Sequence, residues 1–239
     1  MSLLAAIAFL TRVPIRREFS TEAVARAAGW FPLIGGLLGL LYGAVWFGAV
    51  RVVPPYVAAV LVLIAEALVT GALHFDGLAD MTDGFGGGRT RDDVLRIMRD
   101  HAIGTYGATA LLLMLLLSAA CLVALRAPLR VAGWLAAGGA FGRWAILLLS
   151  RALPYARPNP AISSGIGTRE LVIGTLTVCA TGFLLQWGAL AAAAVTLVLT
   201  LALGAFYRRR IGGVTGDTLG ATSQICQTAV LLTGVVLAR

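Results

Sequence analysis

Long apolar stretches follow one another along almost the whole chain, and they constrain the fold more than any other feature. The chain has 239 residues, of which 59% are hydrophobic and 13% charged, and its mean hydropathy is +0.90. A helix of about 20 apolar residues crosses a bilayer, and in lipid every backbone polar group needs an internal partner. We therefore predict an all-α polytopic membrane protein with about seven transmembrane helices and short interfacial helices. The predicted spans are 30–50, 53–73, 104–125, 131–153, 170–186, 188–207 and 217–238.

No polar segment is long enough to form a separate soluble domain, so residues 1–239 are predicted to form a single transmembrane domain. The fifth and sixth spans form one apolar run, which we divide at Gln186-Trp187-Gly188. Residues 3–10 are too short to span a bilayer and are predicted to form an interfacial helix. Gly35 and Gly39 have the small-xxx-small spacing that allows two helices to pack closely.

The arginines predict how the chain is oriented. With a cytoplasmic N-terminus, the segments on the cytoplasmic side hold 14 arginines and those on the opposite side hold 4. Basic residues accumulate on the cytoplasmic side of membrane proteins. We therefore expect the N-terminus and the segment 74–103 in the cytoplasm.

Ionic side chains concentrate between residues 70 and 107, where six of the eleven acidic residues and both histidines lie. Asp76, Asp80 and Asp83 are spaced i, i+4 and i+7, which places them on one face of a helix. Three carboxylates so close repel one another unless a cation lies between them, and oxygen ligands suit Mg²⁺. The spacing therefore predicts a magnesium site, with a solvated acidic loop as the alternative. The glycine run 84–88 is predicted to be a flexible connector.

Several arginines on the predicted cytoplasmic side are candidate ligands for phosphate groups, because a guanidinium can donate two parallel hydrogen bonds to them. The alternative is that they only anchor the protein to the membrane surface. Residues 91–100 are predicted to form a short surface helix, since apolar residues alternate there with charges. The candidates are Arg12, Arg89, Arg96, Arg99 and Arg157.

Polar residues in or next to apolar spans are candidates for function, because burying them in a membrane costs free energy. Asp217 begins the last span, where it is a helix cap, a fourth carboxylate that faces the cluster, or a ligand to substrate hydroxyls. Gln224 and Gln227 lie deeper in that span and could join helices. Glu66 lies inside the second span, and Arg143 in the fourth is a candidate partner.

Four sequence motifs, taken together, resemble the cobalamin synthase family, the adenosylcobinamide-GDP ribazoletransferases. The most specific is H-F-D-G-L-A-D-M-T-D-G at 74–84, followed by R-I-M-R-D-H-A-I-G-T-Y-G at 96–107. F-L-T-R-V-P at 9–14 and G-G-V-T-G-D-T-L-G-A at 212–221 are similar to the family as well. The resemblance covers residues 9–227 in the order of the family.

This resemblance implies a Mg²⁺-dependent enzyme of a prokaryotic inner membrane, with its active site facing the cytoplasm. Such enzymes join adenosylcobinamide-GDP to α-ribazole, or to its 5′-phosphate, and release GMP. It implies that Asp76, Asp80 and Asp83 bind Mg²⁺, and that one of them or His74 accepts the proton of the attacking hydroxyl. The chain departs from the family pattern in two places. Gln224 and Gln227 stand where the family usually has glutamates, and Ala102, next to His101, stands where the family commonly has a basic residue.

Two other functions stay open at this point. Intramembrane acids also occur in cation transporters, although here most acids cluster at one loop. The aspartate spacing is also similar to that of the CDP-alcohol phosphotransferases, which would imply another alcohol substrate. Besides the bilayer and small-molecule substrates we expect no nucleic-acid partner, and the sequence leaves the oligomeric state open.

Overall fold

The computed structural model describes residues 2–158, 166–183, 185 and 188–238, and within these ranges the fold is all-α. A 3₁₀ turn, Ala28–Trp30, connects the second and third helices. The α-helices, numbered in chain order, are α1 Ser2–Leu10, α2 Thr21–Ala27, α3 Phe31–Ala49, α4 Pro55–Thr70, α5 Leu73–Gly87, α6 Arg91–Ile97, α7 Thr105–Leu125, α8 Pro128–Ala152, α9 Thr168–Phe183, α10 Gly188–Ile211 and α11 Gly216–Leu237.

Each predicted span corresponds to one helix, and the all-α membrane architecture is confirmed. α4 and α9 have 16 residues each, fewer than the other helices of this set. Gln186 and Trp187, where the fifth and sixth spans were divided, lie outside the described residues. Within the described residues, five helical stretches, fewer than the seven predicted, are by themselves long and apolar enough to span a membrane: Thr21–Ala49, Thr105–Leu125, Pro128–Ala152, Gly188–Ile211 and Gly216–Leu237.

A sharp bend separates α4 from α5, and the sequence did not predict it. The two helices meet at 92°. If the bent pair crosses the membrane as one unit, it is a sixth span. The bend is made by two consecutive left-handed residues, Gly71 with φ 64° and Ala72 with φ 59°. Because α5 turns away from the apolar helix before it, the acidic stretch lies across one end of the bundle.

The glycine run at the end of α5 is helical, so the prediction of a flexible connector at 84–88 is wrong. The helix continues to Gly87. A β-carbon at Gly84 would lie 2.6 Å from Cγ of Met98, and one at Gly86 would lie 2.5 Å from the Tyr106 ring. The small residues therefore serve the packing of α5 against its neighbours.

The most extensive helix interface joins α3 to α8, and glycines make it possible. A β-carbon at Gly35 would collide with the backbone of Gly139, and one at Gly39 with the backbone of Leu135. The predicted close packing through Gly35 and Gly39 is therefore confirmed. This interface holds α8 in the centre of the bundle, where most of its residues are buried.

Gly35→Val is expected to destabilise the protein, since the added side chain meets backbone that cannot move aside. We expect a loss of about 1–3 kcal/mol, typical of overpacking, seen as a lower melting temperature in detergent. Gly48→Val is the matched control, because a β-carbon at Gly48 would meet nothing within 4 Å. Equal melting temperatures for the two variants would contradict the packing of α3 on α8.

The N-terminal segment lies against the start of α3. The predicted helix at 3–10 is present as α1, and its interfacial position stays a prediction, whereas α2 was not predicted. Ser20 caps α2 by accepting a hydrogen bond from the Ala23 amide. The indole of Trp30 donates to the Ser2 hydroxyl at 3.0 Å, which ties the chain start to the bundle.

Candidate active site

The acidic site is built by α5 and the beginning of α11. Gly77 allows the approach, because a β-carbon there would lie 2.9 Å from the carbonyl oxygen of Asp217. Asp76 and Asp217 line one cavity of about 130 Å³, together with His74. Asp217 is on α11, six helices further along the chain than Asp76 on α5, and it thus lies beside the predicted cluster.

Asp80 experiences the charge of the whole cluster. Asp80 is half-buried on α5. This helix is not one of the five that are by themselves long and apolar enough to span a membrane. Partial burial raises the pKa of Asp80 to about 6, with further contributions from the nearby charges of Asp76, Asp217 and Asp83. Arg157 opposes the shift. Carboxylates that raise one another's pKa in this way form a site that is stabilised by added positive charge.

Asp83 has a different environment from Asp76 and Asp80. It is only 7% exposed. Its two carboxylate oxygens accept hydrogen bonds from the backbone amides of Gly104, at 2.7 Å, and Gly107, at 2.8 Å. The carboxylate therefore fixes the beginning of α7 to α5. Its role as a metal ligand stays a prediction.

The donors present fit a magnesium ion that the substrate helps to bind. Among the described residues, no three His, Cys, Asp or Glu side chains are already arranged around a common metal position. Mg²⁺ in phosphate-transferring sites is typically held by one or two carboxylates plus substrate phosphates and waters. Asp76 and Asp80 supply that number of carboxylates, one helical turn apart on α5.

A basic cavity of about 620 Å³ lies next to the acidic site. Arg96 and Arg99 line it from the region of α6, and Arg157 from the segment after α8. Arg91 also lines it, but its guanidinium donates to the carbonyl oxygens of Ile211, at 3.0 Å, and Ala156, at 2.7 Å. Arg91 thus holds three segments together, while Arg96 and Arg99 are exposed.

Arg157 joins the two cavities. Its Nη2 donates to Oδ2 of Asp217 at 2.8 Å, and both side chains are largely buried, at 15% and 20% exposure. Backbone hydrogen bonds hold the segment that carries Arg157, from Val214 to Pro154 at 2.9 Å and from Ala156 to Val214 at 2.8 Å. A fixed guanidinium therefore lies between the basic cavity and the carboxylates.

The remaining predicted phosphate ligands, Arg12 and Arg89, line neither of these two cavities. Arg12 donates its backbone amide to the Val69 carbonyl at 2.7 Å, and its side chain packs against Gly71. Arg89 is exposed just after α5. The structure thus brings together Asp76, Asp80, Asp217, His74 and Arg157 with Arg96 and Arg99, and leaves Arg12 and Arg89 at the periphery.

A chain of buried polar side chains lies behind the acidic cavity. Glu66 accepts a hydrogen bond from Nε2 of Gln227 at 2.7 Å, and Oε1 of Gln227 accepts one from Arg143. Arg143 also contacts Nδ1 of His74 at 3.2 Å. The suggested partnership of Glu66 and Arg143 is therefore indirect, since Gln227 bridges them. The contact between Arg143 and His74 was not predicted, because the two are 69 residues apart.

Comparison with known proteins gives the family of this chain. The sequence pattern of the family described as Cobalamin-5-phosphate synthase matches residues 2–236. The chain belongs to this family. The resemblance inferred from the aspartate motif is thereby confirmed.

Several similar members of the cobalamin-5-phosphate synthase family are named adenosylcobinamide-GDP ribazoletransferase. One from Shewanella frigidimarina is 39% identical over 98% of this chain and 92% of its own length. One from Ralstonia nicotianae is 39% identical over 96% of this chain and 93% of its own. One from Chlorobium phaeobacteroides is 36% identical over 99% of this chain and 98% of its own length. No solved structure matches the chain.

The two glutamines that depart from the family pattern are both buried in α11. Gln227 is 3% exposed and uses both ends of its amide in the polar chain described above. Gln224 is 1% exposed, and neither amide atom has a hydrogen-bond partner within the described part of the protein. An amide at 227 can donate to Glu66 while it accepts from Arg143, which a carboxylate cannot do.

Proposed function

We propose that this protein is an adenosylcobinamide-GDP ribazoletransferase, which completes cobalamin by transferring a cobinamide-phosphate group to α-ribazole. The observation that carries the proposal is the junction of an acidic and a basic cavity at the pair of Arg157 and Asp217. A diphosphate that lies across this junction has its nucleotide end among arginines and its reacting phosphorus beside carboxylates. The full-length family match and the names of the relatives support the same reaction.

The proposed reaction exchanges a phosphoanhydride linkage for a phosphodiester linkage. The 5′-hydroxyl oxygen of α-ribazole forms a bond to the phosphorus on the cobinamide side of adenosylcobinamide-GDP. The bond from that phosphorus to the bridging oxygen of the diphosphate breaks, and GMP leaves with this oxygen. The hydroxyl proton passes to a carboxylate of the acidic cluster, and the products are adenosylcobalamin and GMP.

Asp76 and Asp80 are the residues that would hold Mg²⁺ in this proposal. When bound, Mg²⁺ would supply positive charge against the diphosphate and the leaving GMP. The negative charges of the two carboxylates also repel a diphosphate that has no cation bound. The site therefore selects a metal-bound diphosphate. Asp83 keeps the beginning of α7 in place beneath them.

The arginines bind and orient the substrate. Arg157 is fixed by its backbone pairing and by Asp217, so its guanidinium needs little rearrangement to donate to a phosphate oxygen. Arg96 and Arg99 are exposed in the basic cavity and supply further donors at the nucleotide end. Preorganised donors of this kind stabilise the charge that develops as GMP leaves.

We also propose that the site faces the cytoplasm, as the arginine count predicts. The structure gathers the arginine-rich segments at one end of the bundle, since Arg91 bonds to Ala156 and Ile211, and Arg210 bonds to Gly88 at 3.0 Å. Segments that share one end of a bundle share one side of the membrane. The nucleotide substrate is then available from the cytoplasm of a prokaryotic cell.

A cysteine at Ala102 should be protected in intact cells. The variant is made after replacement of Cys121, Cys179 and Cys226, and Ala102 is exposed between α6 and α7. An impermeant maleimide added outside should label Ala102→Cys only after the cells are opened. Val52→Cys, at an 85% exposed position between α3 and α4, is the matched control and should react from outside. The reverse pattern would contradict the orientation.

The proposed activity can be tested in a bacterial strain that lacks its own ribazoletransferase and needs cobalamin to grow. The wild-type chain should restore growth on cobinamide plus α-ribazole, whereas Asp76→Asn combined with Asp80→Asn should not. Both proteins are quantified in the membrane fraction. No growth with the wild-type chain, although it is present in the membrane, would overturn the proposal.

A further inference from the structure

Four helices contribute one side chain each to the buried polar chain behind the acidic cavity. Glu66 comes from α4, Gln227 from α11, Arg143 from α8 and His74 from α5. All four side chains are nearly inaccessible, with exposures of 3%, 3%, 1% and 4%. Burying such groups is costly, and apolar side chains of similar volume could fill the same space at lower cost. A chain of this kind therefore calls for a functional explanation.

The contact between Arg143 and His74 determines which ring nitrogen carries the proton. A guanidinium has only donors, so Nδ1 of His74 must accept the hydrogen bond. Nδ1 is then unprotonated, and in the neutral ring the hydrogen is on Nε2. His74 also lines the small cavity that contains Asp76 and Asp217. Nε2–H is then the polar group of the ring that is left for a ligand in that cavity.

We propose that His74 is a fixed hydrogen-bond donor of the active site, and that Arg143, Gln227 and Glu66 are positioning residues that hold its tautomer. The inference rests on the proposed function. His74 donates from Nε2 to an oxygen of the bound diphosphate and keeps its proton throughout the reaction. The hydroxyl proton of α-ribazole therefore goes to a carboxylate, and His74 is removed from the candidate bases.

The other two members of the buried polar chain, Gln227 and Glu66, explain how Arg143 stays in place. Glu66 supplies the negative charge that a buried guanidinium needs, and Gln227 carries the link from one to the other. Gln227 has a single consistent orientation, because its nitrogen donates to Glu66 and its oxygen accepts from Arg143. Gln227 and Glu66 therefore hold the guanidinium of Arg143 in the orientation in which it donates to His74.

Two replacements of His74 separate a donor from a base. His74→Gln can place an amide nitrogen near the position of Nε2 and an oxygen toward Arg143, but it cannot accept a proton. His74→Leu keeps a similar volume and removes both functions. As a donor, His74→Gln should retain kcat within about tenfold, whereas His74→Leu should lose on the order of 10²-fold. If both variants lose kcat equally, His74 is a base and the inference is wrong.

A double-mutant cycle tests the positioning role. If Arg143 acts through His74, Arg143→Met should lower kcat strongly in the wild-type background and little further in the His74→Leu background. Equal losses in both backgrounds would overturn the positioning role. Gln227→Met, which breaks the bridge but leaves both charges, is the second variant in case Arg143→Met does not fold. It should follow the same non-additive pattern.

Ser118→Ala is the matched control for loss of a buried polar contact. Ser118 and Thr228 share a hydrogen bond of 3.0 Å between α7 and α11, away from His74. The control should keep kcat, and a loss as large as that in Arg143→Met would mean that any buried polar contact matters equally. Wild-type protein without GMP release would overturn the proposed function itself, which distinguishes that failure from failure of this inference.

Discussion

Asp80→Asn is expected to lower the rate of GMP release by on the order of 10²-fold or more, as is usual for loss of a metal ligand or base. Asp76→Asn should have a similar effect, because the two carboxylates lie one turn apart and would hold the same ion. Rates are measured with purified protein at saturating substrates over a range of Mg²⁺ concentrations. The double variant should be little slower than the worse single one, since the two residues act as a unit.

The melting temperatures of the asparagine variants should distinguish Asp83 from Asp76 and Asp80. Asp76→Asn and Asp80→Asn remove like charges and should leave the melting temperature unchanged or higher. Asp83→Asn should lower it, because an amide can accept from only one of Gly104 and Gly107 in the place of a carboxylate. Asp100→Asn, at an exposed position outside both cavities, is the control and should change neither property. Normal turnover of Asp76→Asn and Asp80→Asn at low Mg²⁺ would mean that this acidic face is only solvated.

Arg157→Ala is expected to lower kcat/KM for adenosylcobinamide-GDP by about 10- to 100-fold, the range for loss of a hydrogen bond to a charged group of about 1.5–3 kcal/mol. The KM for α-ribazole should change much less, because Arg157 lines the cavity assigned to the nucleotide. Arg157→Lys should recover only part of the loss, since lysine lacks the planar pair of donors.

Arg208→Ala is the matched control for Arg157→Ala, because Arg208 is exposed at the same end of the bundle and lines neither cavity. It should keep kcat/KM for both substrates. An unchanged kcat/KM in Arg157→Ala, with a lower melting temperature, would show that Arg157 only supports Asp217.

Hydrophobic length and spacing predicted much of the architecture. Each apolar run became a helix, because a chain in lipid has few other ways to pair its backbone groups. The short helix around Arg96 and the close packing at Gly35 followed from local spacing as well. The bend at Gly71 and Ala72 was not predictable from composition, since alanine rarely adopts the left-handed conformation that the bend needs.

The site was predictable as a set of residues but not as a geometry. The spacing of Asp76 and Asp80 was sufficient to place both on one helix face. Asp83 belongs to the same i, i+4, i+7 pattern, yet its oxygens accept hydrogen bonds from the amides of Gly104 and Gly107, which the folded chain brings to it. The contact of Arg143 with His74 depends likewise on how α8 and α5 both pack against α11, so no local pattern could indicate it.

The transfer reaction is tested most directly by a product analysis with purified protein, Mg²⁺, adenosylcobinamide-GDP and α-ribazole. GMP and adenosylcobalamin should form in equal amounts, and neither should form when α-ribazole is left out. GMP release without α-ribazole would indicate hydrolysis and would contradict the proposed transfer, as would products in which the guanosine phosphate is joined to α-ribazole. In the latter case the hydroxyl would have attacked the other phosphorus.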